Sequence, residues 1–258
     1  MPMEYIASLS YGKDSCTIPH VCLEVLKLPL TKLVTVDVLF NIEISAYYPE
    51  VEEFKQKADE IFLKRYGLKV EHIRADLTYE ERFFSVRGDR ADEKNKGKIY
   101  GFPIVRGAWC NSDLKMQAIE KYKAKHKDDF WYVGYALDEK KPERQEKIAN
   151  CTDLNMYPLV KAKYTEQMCM DWCKKNDLLN PTYDKFSRDG CWFCHYQTLE
   201  QLRDLRHNHP DKWQIMLHLD DCSPLTFRAD GTTIHMLEER FKWEDAQMTI
   251  FDFLESEE

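Results

Sequence analysis

What most restricts the fold of this chain is an alternation in its first half, where short β-branched or aromatic runs are separated by longer amphipathic stretches. Tyr5-Ile6-Ala7-Ser8-Leu9 reads as a short buried strand, and apolar residues at helical spacing follow from Ile18 to Leu26. Residues 33–40 are too β-branched for a good helix, whereas residues 49–66 carry a helical pattern that Gly67 stops. Residues 68–73 and 130–135 read as two further strands, the second preceded by a helix over 114–127. Strands separated by helices predict an α/β fold around a doubly wound, mostly parallel, Rossmann-like sheet. From Thr165 onward the pattern turns helical, as at 199–205 and 211–219. The expected organisation is therefore an α/β domain over 1–160, a helical cysteine-containing region over 161–245 and an acidic tail over 246–258. The charged, glycine-bearing segment 87–98 reads as an exposed loop or insertion.

A chain of 258 residues can bury a real core. Its formal net charge of −8 argues against general, charge-driven binding to nucleic acid or anionic membrane, though a local basic cleft stays compatible with it. No apolar run reaches the roughly 18 residues of a membrane span, and no export leader is recognisable, so a cytoplasmic protein is expected. The nine cysteines are odd in number, and Cys191-Trp192-Phe193-Cys194 sets two of them at metal-ligand spacing. In a reducing compartment that favours metal ligation over disulfides, a free or redox-active thiol pair being the alternative.

The turn Ser8-Leu9-Ser10-Tyr11-Gly12-Lys13-Asp14-Ser15-Cys16-Thr17 joins the first strand to the first helix. A glycine there lets the backbone approach a ligand, and the free amides and dipole of the helix start attract an anion. Ser10, Ser15 and Thr17 offer hydroxyls to phosphate oxygens, and Lys13 offers charge. The spacing is not that of a Walker A loop. Pro19, which has no amide proton, is expected in the first turn of a helix that begins near Thr17.

Ser10-Tyr11-Gly12-Lys13-Asp14-Ser15 resembles the Ser-Gly-Gly-x-Asp-Ser loop of the PP-loop superfamily, the adenine nucleotide α-hydrolases. Further segments agree in order with its phosphoadenosine phosphosulfate (PAPS) reductase-like branch from bacteria and phages. These are Trp109-Cys110-Asn111-Ser112-Asp113-Leu114-Lys115, Gly134-Tyr135-Ala136-Leu137-Asp138-Glu139 with Arg144, Tyr157-Pro158-Leu159 with Tyr164-Thr165-Glu166, and Gly190-Cys191-Trp192-Phe193-Cys194. The similarity spans roughly residues 4–215 and departs from the pattern in three places. Tyr11 replaces a loop glycine, Ala136 replaces an arginine, and Asn41-Ile42-Glu43 stands where Asp-Thr-Gly-x-Glu is frequent.

The resemblance implies an enzyme that binds ATP with Mg²⁺ and cleaves it at the α-phosphate to AMP and pyrophosphate, activating an acceptor for sulfur transfer or nucleic-acid modification. It assigns nucleotide contacts to Ser8, Ser10, Gly12, Lys13, Asp14, Ser15, Gly134, Asp138 and Glu139. Lys13 and Arg144 would neutralise charge in in-line attack, while Asp14 fixes the loop or holds Mg²⁺. It also implies that Cys110 joins Cys191 and Cys194 around zinc or an iron-sulfur cluster, with Cys222, or else His195, as fourth ligand. Cys16, Cys22, Cys169 and Cys173 fall on helical segments and read as buried thiols, leaving Cys151 undecided. A PAPS or adenosine phosphosulfate reductase is the alternative, but the Glu-Cys-Gly-Leu/Ile-His nucleophile of those enzymes has no counterpart after Cys194. A third alternative is a non-catalytic, clamp-associated accessory module. Gln247-Met248-Thr249-Ile250-Phe251-Asp252-Phe253 resembles the Gln-x-x-Leu-Phe peptide that holds bacterial sliding clamps, with Gln247, Ile250, Phe251 and Phe253 as anchors.

Overall fold

A computed structural model describes residues 3–89, 93, 95–104, 108–187 and 189–255, with side chains described as far as residue 247. In chain order the elements begin with β1 (Tyr5–Leu9), α1 (Lys13–His20), β2 (Lys32–Val36), α2 (Pro49–Tyr66), β3 (Val70–Ile73), α3 (Tyr79–Phe84), α4 (Trp109–Asn111), α5 (Gln117–Lys125) and β4 (Phe130–Tyr132). They continue with α6 (Pro142–Ala149), α7 (Pro158–Lys161), α8 (Glu166–Lys175), α9 (Thr182–Lys185), α10 (Leu199–Asn208), α11 (Pro210–Cys222) and α12 (Ile234–Glu255).

The chain divides into two compact units, interleaved in sequence. The first comprises Met1–Val38, Tyr47–Asp76 and Asp113–Asp189; the second comprises Leu39–Ala46, Leu77–Ser112 and Gly190–Glu258. All four strands lie in the first unit and form one parallel sheet of order β3-β2-β1-β4, with Ile6 opposite Lys32 and Tyr5 opposite Phe130. Strand alternation sends Ala7, Leu9 and Leu33 to one face, where they pack with Cys16 and Ile18 of α1 and with Phe54, Ala58 and Phe62 of α2. Ile6, Val34 and Trp131 face the other way, onto Tyr122 of α5. Helices thus cover both faces of an all-parallel sheet, an α/β architecture compatible with a Rossmann-like fold. The second unit is helical, with α10, α11 and α12 packed in succession. No helix among the described residues is long and apolar enough to cross a membrane.

Local chemistry explains the element ends. Helix α2 opens with Pro49 at its first turn beside Glu50 and Glu52, and closes with Lys64 and Arg65 before Gly67, whose φ of 66° is the left-handed stop that glycine adopts without strain. Helix α1 starts at Lys13, earlier than the Thr17 expected from sequence. Gly12 is extended at φ −80°, ψ 157° and serves as N-cap, and the Cys16 amide donates to the Gly12 carbonyl at 3.0 Å. Pro19 therefore falls in the last turn of α1, where a missing amide loosens the ladder. Residues Val21–Val25 continue as a π-helical turn, closed by Leu26 N–H donating to Val21 O at 2.9 Å.

Candidate functional site

The strand order reverses between β1 and β4, and in open parallel sheets the crevice at that reversal, beyond the carboxyl ends of the strands, is where ligands bind. Residues 10–12 leave β1 there, and residues 133–134 leave β4 beside them. A Cβ built on Gly134 would stand 3.1 Å from the Ser15 amide nitrogen and 3.2 Å from Asp14 backbone carbon. Glycine at 134 is what allows the β4 exit to pass this close to the start of α1.

The loop is tied together by its own hydroxyls. Ser10 N–H donates to Ser15 Oγ at 3.1 Å, and Ser15 Oγ donates to Gly12 O at 3.0 Å, with the two serine oxygens also 3.1 Å apart. Thr17 Oγ1 donates to Lys13 O at 2.8 Å, so it supports the helix start. Ser8 sits within β1, in register with Val34. Lys13 Nζ bonds Asp14 Oδ1 at 2.9 Å and Glu166 Oε2 at 3.3 Å. Burial alone would lower the Lys13 ammonium pKa, but Asp14 and Glu166 outweigh it and hold it above the ordinary value. For Asp14 the balance falls the other way: burial raises its carboxyl against the opposing pull of Lys13.

Tyr11 takes φ +57°, the left-handed conformation that a glycine usually supplies, and accounts for the departure from the glycine pattern. Its ring is only 3% exposed and turns into the core, edge-on to Phe54 with centroids 6.5 Å apart. Its hydroxyl donates to Asp59 Oδ1 at 2.7 Å, so the ring anchors the loop instead of covering it. Burial and Asp59 push this phenol far above its ordinary range. Beneath it, His72 lies between two carboxylates, Nδ1 2.8 Å from Asp37 and Nε2 2.8 Å from Asp59, and Lys55 bonds Asp37 at 2.8 Å. None of Asp37, Lys55, Asp59 and His72 stands out in the sequence; α2 and the neighbouring strands β2 and β3 bring them together.

Sequence reasoning also missed Tyr183 on α9. Its hydroxyl would be 3.4 Å from a Cβ on Gly12, and the backbone N–H of Lys13 is directed toward it. Tyr183 thus places a hydroxyl beside the N-cap of α1. Asp138 and Glu139 are engaged with backbone. Asp138 Oδ1 accepts from Glu166 N–H at 2.8 Å at the head of α8, and Glu139 Oε1 accepts from Lys140 and Lys141 N–H, both at 3.1 Å. Arg144 Nη1 pairs with Glu139 Oε2 at 2.7 Å and its guanidinium lies 4.9 Å from the centroid of Tyr135. Although burial opposes it, the pair lowers the Glu139 pKa and raises that of Arg144.

The second unit holds the cysteine turn. Cys194 N–H donates to Cys191 O at 3.1 Å, and Trp192 is anchored by its amide to Ala46 O at 3.0 Å and by its indole to Ser45 O at 2.8 Å. Phe193 packs on Tyr79 with centroids 4.0 Å apart, and Trp109 packs on the same ring at 4.9 Å. Tyr79 is fully buried and its hydroxyl has no hydrogen-bond partner among the described residues. Burial raises its pKa well above the ordinary value, and Cys110, Cys194 and Cys191 all add to the shift, so the three thiols lie within electrostatic reach of that hydroxyl. Among the described residues they do not form a group with all sulfurs within 4.8 Å of one another. Cys222 ends α11, its sulfur 3.8 Å from His218 Nε2. Cys16, Cys22, Cys169 and Cys173 are buried thiols, as expected, while Cys151 is part-exposed and donates to Asp153 O at 3.0 Å. The peptide at 247–253 belongs to α12, but the side chains of Ile250, Phe251 and Phe253 lie outside the described residues.

No family model matches the sequence, and a search of curated proteins finds no significant relative.

Proposed function

We propose that the chain is a PP-loop-type enzyme, similar to the PAPS reductase-like branch, that binds ATP through the loop 10–15 and cleaves it at the α-phosphate. The observation that carries this reading is the loop's place: a glycine-capped helix start with Lys13 beside it, at the reversal of a parallel sheet. Phosphate oxygens would take the helix-start amides in place of the Tyr183 hydroxyl, and Lys13 would exchange a carboxylate partner for phosphate. Asp14 and Glu166 are then the carboxylates nearest that charge, suited to Mg²⁺ that accompanies a triphosphate. Arg144 acts on an incoming group only by sharing or leaving Glu139, so its role is second to that of Lys13.

The cysteine turn fits a metal group. Tetrahedral zinc needs sulfurs about 3.8 Å apart, given Zn–S bonds of about 2.3 Å. Cys110, Cys191 and Cys194 do not meet that spacing together, an iron-sulfur cluster accepts sulfurs farther apart, and the Tyr79 hydroxyl is a buried donor without an acceptor among the described residues. When bound, such a cluster supplies electron or sulfur chemistry; the chain's own part is to hold it and to keep water away with Trp109, Trp192 and Phe193.

Purified protein incubated with ATP, Mg²⁺ and candidate acceptors should release pyrophosphate. Release of sulfite from PAPS with ATP left intact would transfer the reading to the reductase alternative. Failure to bind either nucleotide would overturn both.

A further inference from the structure

The opposite edge of the sheet carries a second constellation, which the nucleotide reading does not use. Glu4 immediately precedes β1 and Asp129 immediately precedes β4, so pairing of Tyr5 with Phe130 sets the two carboxylates side by side. The turn after α5 adds His126. One donor atom from each of Glu4, His126 and Asp129 lies within 4.8 Å of the other two, and they form the one such group of three found among the described residues. Strand β1, of five residues, places this edge about 16 Å from the loop that follows it.

A second observation points to a ligand. The Asp129 side chain is 8% exposed, yet its Oδ2 has no hydrogen-bond partner. Its Oδ1 is used, accepting from Glu4 N–H at 2.9 Å. His126 Nδ1 lies 3.1 Å from Oδ2 but outside hydrogen-bond geometry, so the buried Oδ2 has a nitrogen beside it and no hydrogen bond. A cation held by Oδ2 and by the neutral imidazole would satisfy that oxygen. The ring of His126 is held in place by stacking on Tyr122, with centroids 4.3 Å apart and planes 12° from parallel. Lys32 is the opposing charge: its Nζ bonds Glu4 Oε2 at 2.7 Å and Glu71 Oε2 at 3.4 Å. One ammonium against the carboxylates of Glu4, Glu71 and Asp129 leaves the neighbourhood negative, and a carboxylate oxygen of Glu4 stays available beside the one that Lys32 takes.

We propose that Glu4, His126 and Asp129 bind a divalent cation of the zinc class, with solvent completing the coordination, and so clamp the α5–β4 turn to the start of β1. One imidazole with two carboxylates is a donor set for borderline first-row ions, and ligation at about 2.0–2.2 Å asks the donors to close only slightly from their present spacing.

The test is a cobalt(II) titration of the full chain followed by visible absorption, with zinc(II) as competitor, beside His126→Gln and Asp129→Asn. Nitrogen and oxygen ligation gives weak ligand-field bands without the sulfur-to-cobalt charge transfer of thiolates, so this site is read separately from the cysteine turn. The wild type should show one equivalent of thiolate-free binding, displaced by zinc, and each variant should weaken it at least about tenfold. Circular dichroism spectra and urea midpoints of the metal-free variants that match the wild type verify that the variants remain folded. Unchanged thiolate-free binding in both variants, or none in the folded wild type, overturns the proposal.

Discussion

The loop after β1 and the cysteine turn of the second unit satisfy their polar groups in opposite ways. In the loop, the side chains that could meet a phosphate are already held: Ser10 and Ser15 by one another, and Lys13 by Asp14 and Glu166. In the turn, three part-exposed thiols lie within electrostatic reach of a buried Tyr79 hydroxyl that bonds nothing among the described residues. Binding at the loop therefore exchanges side-chain partners on a preformed frame, whereas binding at the turn offers an acceptor to the Tyr79 hydroxyl. A lost contact at the loop should act on affinity and rate; one at the turn should act on what the protein carries and on its stability.

The sharpest separation of the two comes from Cys191→Ser and Cys194→Ser. Each should reduce bound iron and the associated visible absorption of anaerobically purified protein to background while nucleotide binding at the loop persists. Cys222→Ser, whose sulfur faces His218, should retain the iron; loss there would make Cys222 the fourth ligand. Lys13→Ala should do the reverse, keeping the absorption and lowering kcat/KM for pyrophosphate release by about 10²–10³-fold, the cost of deleting one preorganised charge. Tyr11→Phe removes a hydrogen bond to the Asp59 carboxylate and should destabilise the fold by about 1.5–3 kcal/mol in denaturant titrations. Tyr79→Phe should instead stabilise metal-stripped protein by about 1–3 kcal/mol, since it deletes a buried donor without an acceptor, and that gain should shrink in the loaded protein. If Tyr79→Phe destabilises the stripped form, the contrast between the regions fails.

The smallest effect is on pH dependence. Burial lowers the His72 pKa, but Asp59 and Asp37 more than compensate and raise it above its unfolded value of about 6.5. Protonated His72 thus contributes stability that is full below the unfolded pKa and is lost as pH rises through the folded one. His72→Gln should flatten stability across that window, as measured by urea midpoints at several pH values.

Helix α2 was readable in full from the sequence because its signals are local: a proline at the start, acidic residues in the first turn, basic ones in the last and glycine at the stop. The strands were readable in position but run shorter than their apolar stretches; β2 ends at Val36, where Asp37 turns to bind Lys55 and His72. The start of α1 was misplaced because Pro19 suggests a first turn, while Gly12 four residues before Cys16 already closes one. The π-helical turns at Val21–Val25 and Ser112–Met116 escape a reading that assumes 3.6 residues per turn. At the sites, Lys13, Asp14 and the Cys-x-x-Cys pair announce themselves by spacing. Tyr79, Tyr183 and the Asp37–His72–Asp59 set carry no such pattern, because only long-range packing makes them neighbours.

The central claim is that the loop of residues 10–15 takes the phosphates of an adenine nucleotide. Calorimetric titration of the full chain with ATP and Mg²⁺ tests it most directly, with pyrophosphate as competitor and Lys13→Ala alongside. The account predicts one saturable site that pyrophosphate blocks and that Lys13→Ala weakens at least about tenfold, as the loss of a charge-assisted contact requires. Equal affinity in wild type and Lys13→Ala, or heat that pyrophosphate does not diminish, would contradict it.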